Sequence, residues 1–229
     1  MSRHSVFFEV EDALAKPGCP LCRLTTASVL QYFAALGYEQ VNDVALRDEL
    51  RANGGFCPRH AWLFWEQSGN RLGVAIIYRD VLANATRGLR GGRAAVSGLG
   101  RRVSSLFRSD AGPSDEPEQR ACTACRYERD AERRYRSTLL EHLGAPDVRE
   151  RFAASSGLCL PHLSRALTGS DGETGWLQQD AERRLGALVD ELDEYIRKHD
   201  YRFRHEGFGT EEDAPRRAIE RAVGESPHQ

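Results

Sequence analysis

Apolar side chains recur along this chain at three- and four-residue steps, the period of a helix, and no stretch competes with the two-residue period of a strand. Val29, Tyr32, Phe33 and Leu36 share one helical face, and Gly37 is placed to stop that helix. Asn42 or Asp43 can cap a second helix carrying Val44, Leu46 and Leu50, which Gly54-Gly55 would end. Pro58, a favoured first-turn residue, opens a third, predicted to run through Trp62, Trp65, Leu72, Ile76 and Leu82 with both tryptophans in the core. The second half repeats the plan: Tyr127, Ala131, Tyr135 and Leu139, then a short helix through Val148 and Phe152, then a start at Pro161. Ala181, Leu185, Leu188, Leu192 and Ile196 make the clearest stripe, and Pro215 to Val223 reads as a last short helix. The pattern predicts an all-α protein.

The halves also repeat in detail. Cys19-x-x-Cys22 followed by Gly55-Phe56-Cys57-x-x-His60 returns as Cys122-x-x-Cys125 followed by Gly157-Leu158-Cys159-x-x-His162. The step from Cys57 to Cys159 and from His60 to His162 is 102 residues, and the flanks match, with Leu46, Arg47, Asp48 and Leu50 falling on Val148, Arg149, Glu150 and Phe152. A repeat of this kind predicts two pseudo-equivalent helical bundles.

All 6 cysteines belong to these motifs. Each trio comes with a histidine at a fixed offset, which a disulfide framework does not require, and a reducing compartment disfavours disulfides. Three thiolates and one imidazole suit a closed tetrahedral Zn2+ site, giving two structural sites. The glycine ahead of Cys57 and of Cys159 permits a tight turn there. Iron-sulfur clusters are the alternative, because histidine replaces cysteine in some of them, and would make this a redox or electron-transfer protein. A thioredoxin-like use of either CxxC lacks its strand-helix context, and Arg23 and Arg126 stand where haem attachment needs histidine. A helix out and a helix back would return Cys57 to Cys22. The sets Cys19, Cys22, Cys57, His60 and Cys122, Cys125, Cys159, His162 are therefore expected, with sets that mix the halves as the alternative.

Composition adds bounds. The chain has 229 residues, 40% of them hydrophobic and 29% charged, and a net charge of −2, a globular profile with no global pull towards a polyanion. Acids interrupt the N-terminus where a signal peptide needs an apolar run, so a cytoplasmic location is expected. Arg87, Arg90, Arg93, Arg101, Arg102 and Arg108 punctuate a Gly/Ser-containing stretch without acids, read foremost as a linker. Nucleic acid or an anionic membrane is a less favoured partner for it, beside an unspecified protein partner. The expected organisation is a first repeat over 1–86, the linker over 87–118, a second repeat over 119–200 and a tail over 201–229. Tyr201 and Phe203 in that tail are expected to dock onto the bundle. No nucleophile, base and orienting group can be connected, so the reading leans to a scaffold or interaction protein rather than an enzyme.

The duplicated CxxC with Gly-Phe/Leu-Cys-x-x-His, together with the tail from Lys198 to Glu220, resembles a family of uncharacterised bacterial proteins over most of the chain apart from the linker. The tail of that family often reads EExDSWRRAI, from which Glu212-Asp213-Ala214-Pro215 departs. The resemblance implies a shared metal-binding scaffold and no established activity.

Overall fold

A computed structural model describes residues 4–37, 41, 43–67, 69, 71–90, 122–168 and 174–225. The basic stretch beyond Arg90 lies outside the described residues. Ten α-helices and no strand occur among those described: α1 Ser5–Leu14, α2 Pro20–Ala35, α3 Val44–Asn53, α4 Pro58–Gln67, α5 Arg71–Arg90, α6 Thr123–His142, α7 Pro146–Ala154, α8 Leu160–Thr168, α9 Gly175–Lys198 and α10 Ala214–Val223. The all-α expectation holds.

Contacts divide the chain into two units that cut across its halves. The first comprises Met1–Thr26 and Ala131–Gln229, the second Ala27–Asp130. They do not follow the ranges 1–86 and 119–200 of the repeat.

In the first unit α1 packs on α7, and α10 packs on α8 and α9. Its core joins Val10 and Leu14 of α1, Leu21 and Leu24 of α2, Tyr135 and Leu139 of α6, and Leu163 and Leu177. The helix α1 was not anticipated, although Phe7, Val10 and Leu14, spaced three and four apart and all buried, carried its signal.

In the second unit α5 packs on α3 and α4. Phe33, Phe56 and Phe64 meet edge-on or tilted, with ring centroids 5.1 to 5.6 Å apart. Asp43 caps α3 by accepting from the Leu46 N–H at 2.8 Å, and Gly54 ends it in the left-handed region. The single helix expected from Pro58 to Leu82 is instead two, because the chain turns at Gly69, where φ is +60°. The apolar phase of α4 does not carry across that turn. In α5 Ile77 and Val81 are buried, whereas Leu72 and Leu82 are exposed. Trp62 and Trp65, expected in the core, are 63% and 42% exposed. Arg71 lies 3.5 Å over the Trp65 ring.

The tail docks, in part through an expected residue: Phe203 is half-buried, with Arg197 4.4 Å over its ring. Tyr201 is 81% exposed; Phe208 instead stacks on Tyr195 at 5.2 Å, and Lys198 bonds the buried Glu211 at 2.7 Å.

Candidate metal centres

Each ligand motif begins a helix. The carbonyls of Cys19, Cys57, Cys122 and Cys159 accept from the N–H groups of Arg23, Ala61, Arg126 and Leu163, four residues on, at 2.8 to 3.2 Å. Each of these cysteines therefore occupies an N-cap position, with its partner cysteine or histidine one turn inside. A helix N-terminus carries partial positive charge from its free N–H groups and favours a thiolate there. Gly55 and Gly157 turn the chain into two of these starts with φ of +91° and +72°.

The eight predicted residues gather into two groups of four, in each of which the donor atoms lie within 4.8 Å of one another. Centre 1 is Cys19, Cys22, Cys159 and His162; centre 2 is Cys57, His60, Cys122 and Cys125. The expected local sets are thus corrected: each CxxC meets the CxxH of the other half. The outgoing helices are the longer ones: at 1.5 Å per residue α2 rises about 24 Å and α3 about 15 Å, while α6 rises about 30 Å and α7 about 14 Å.

At centre 1 the His162 Nδ1 lies 3.1 Å from Cys159 Sγ, 3.4 Å from Cys22 Sγ and 3.5 Å from Cys19 Sγ, and the Cys22 and Cys159 sulfurs are 3.6 Å apart. At centre 2 the His60 Nδ1 lies 3.2, 3.3 and 3.8 Å from Cys125, Cys57 and Cys122, with 3.6 Å between the Cys57 and Cys125 sulfurs. A single tetrahedral ion with bonds of about 2.3 Å to sulfur and about 2.0 Å to nitrogen separates nitrogen from sulfur by about 3.5 Å and sulfur from sulfur by about 3.8 Å. The donor sets therefore fit one ion each. Burial pulls the His162 imidazole down, yet its bonds to Cys159 and Cys19 outweigh this and carry it up to about 9. The Cys122 thiol is pushed up to about 11 by its bond to Cys57 and then by burial. Protons crowded in this way are what a metal displaces on binding.

The two centres differ in what surrounds them. At centre 2 Glu128, one turn beyond Cys125, ion-pairs with Arg59 and lies 3.5 Å from the His60 Nε2. Carboxylates so placed orient a ligating imidazole. The corresponding position at centre 1 is Thr25, whose hydroxyl donates to the Leu21 carbonyl instead. The tail takes over there. A Cβ on Gly224 would lie 3.1 Å from Cys22 Sγ and 3.8 Å from Cys159 Sγ, so bare backbone rests on two ligands. Glu225 follows, its carboxylate 3.9 Å from the Arg23 guanidinium. Burial pushes that carboxyl up. Arg221 donates to the carbonyls of Leu158 and Ser156, and Arg184 to those of Ser155, Phe152 and Ala153, so two guanidiniums hold the turn into Cys159. Gly157 admits Arg184, whose Nε would lie 3.1 Å from a Cβ at that position. Of these residues only Glu128 had a sequence signal, its spacing from Cys125; the tail arrives by tertiary packing.

The chain matches over residues 1–229 a family described as a family of unknown function, DUF6062. It belongs to that family. An uncharacterized 23.9 kDa protein in the xynA 3' region of Caldicellulosiruptor sp. (strain Rt8B.4) is 28% identical over 197 residues, which is 85% of this chain and 88% of that protein. No solved structure matches. Among the described residues no helix is long and apolar enough to cross a membrane.

Proposed function

We propose that this member of the family is a zinc-stapled helical binding protein whose two Cys3His centres are structural. The observation that carries the reading is the spacing of the donors: three sulfurs and one nitrogen as close together as the corners of a tetrahedron that one zinc ion would fill. A cluster distributes its cysteines over several irons and needs a wider mouth than sulfurs 3.6 Å apart provide. Four protein ligands complete the coordination of zinc and leave no position for a substrate or an activated water. Burial of His60, Cys122, Cys159 and His162 agrees with a closed site. The role that remains is binding, and the exposed Trp62, Trp65 and Leu72 of the second unit support an interaction role.

Metal analysis of protein purified without oxygen, read together with its visible spectrum, tests the centres. Two zinc ions per chain and a colourless solution are expected. Iron with acid-labile sulfide and a brown solution would replace the zinc reading by the redox one.

A further inference from the structure

A cleft of about 540 Å³ opens beside centre 1, within the first unit. Cys19 and Cys159 contribute to its wall, and α9 and α10 supply most of the rest. Five guanidiniums, those of Arg183, Arg184, Arg216, Arg217 and Arg221, face three carboxylates, those of Glu191, Asp213 and Glu220.

The pairing among these charges is uneven. Arg217 takes both Glu191 and Asp213, and Arg216 takes Glu220. Asp180 serves Arg183 and Arg184 at once. Arg221 pairs with no carboxylate among the described residues: its two bonds go to the neutral carbonyls of Leu158 and Ser156. Arg184 holds the adjoining carbonyl of Ser155, so two like charges are fixed side by side over one turn. A guanidinium has five N–H donors in a planar fork that matches a phosphoryl or carboxylate group. Ala187, Leu188 and Pro17 add apolar surface to the same cleft.

We propose that this cleft binds a small phosphate monoester, the phosphoryl group lying between Arg221 and Arg216 of α10 and the arginines of α9, and the organic part against Leu188 and Pro17. The volume is that of a small-molecule site, and the mixture of an apolar wall with a few convergent polar groups is what such sites present. The proposal rests on centre 1 holding its metal, because Cys19 and Cys159 help to shape the cleft.

The test is calorimetric titration of the zinc-loaded full chain with glycerol phosphate, inorganic phosphate and acetate at one ionic strength. Saturable binding of the phosphates, tighter for glycerol phosphate, is expected, with none for acetate. Arg183→Gln with Arg216→Gln removes two guanidiniums whose carboxylate partners lie on their own helices, so the fold and zinc content are expected to survive while affinity falls at least fivefold. Arg221→Gln is expected to abolish binding. Equal heats for acetate and phosphate, or unchanged affinity in the double variant, would overturn the proposal. Zinc measured in every sample separates that outcome from failure of the metal reading: absent binding with two zinc ions in place counts against the cleft alone.

Discussion

At the scale of single residues, the two centres share ligands in kind but lean on different neighbours. Gly224 has φ of +93° and ψ of 174°, a region open to glycine almost alone. Forcing alanine there costs about 1–3 kcal/mol of backbone strain, and its Cβ would press on Cys22 Sγ. Gly224→Ala is therefore expected to release zinc from centre 1 faster in a chelator competition, leaving centre 2 at the wild-type rate. Equal release from both would mean that the tail does not seat on the thiolates. Glu128 makes the opposite test. Glu128→Gln removes the charge that faces the His60 Nε2, and losses of this kind reduce metal affinity by about 10- to 100-fold. A competition titration should find the loss at centre 2 alone.

At the scale of elements, α10 and the turn before it act as a cover fastened by charge. Lys198, and after it the Gly209 N–H, hold the Glu211 carboxyl down to about 2. A carboxyl depressed in the folded state contributes stability that is complete at neutral pH and fades only as pH falls from the ordinary carboxylate range towards about 2. Glu211→Gln at neutral pH is expected to lower hydrogen-exchange protection across 208–223 and to speed zinc exchange at centre 1; unchanged protection would show that Phe208, Arg217 and Arg221 fasten the tail without it. Much of this level was legible beforehand. The helical periods placed α2, α3, α6, α7, α9 and α10, and Asp43 and Gly54 marked the ends of α3. What failed has physical reasons. Trp62 and Trp65 read as core because their spacing fits a stripe, but α4 turns His60, Leu63 and Phe64 inward and leaves the tryptophans on its other side. Tyr201 read as docked because it is aromatic, whereas Phe208, past the left-handed Gly207, is the ring that reaches Tyr195. The eight ligands were readable from spacing; their grouping was not, since it depends on how the helices pack, which spacing along the chain does not fix.

At the scale of the whole chain, the exchanged pairing would make an ion at either centre a cross-link between sequence segments more than a hundred residues apart at centre 1, and more than sixty at centre 2. A structural zinc contributes about 10–16 kcal/mol in small peptides, so losing one ligand is expected to empty a centre and to destabilise the unit built around it. Pairs of substitutions then read the pairing directly. Cys22→Ser with Cys159→Ser strikes centre 1 twice. That double variant should keep one zinc per chain and lose little more stability than either single variant, because the second change removes a ligand from a site already empty. Cys22→Ser with Cys57→Ser strikes both centres, and should keep no zinc and show near-additive losses. Local pairing would reverse these results, leaving one zinc in the second double variant and none in the first. Metal content and urea melts of the two double variants and their three single variants therefore decide between the two topologies. They also tell whether the duplicated motif holds each repeat to itself or, as the geometry has it, to its counterpart.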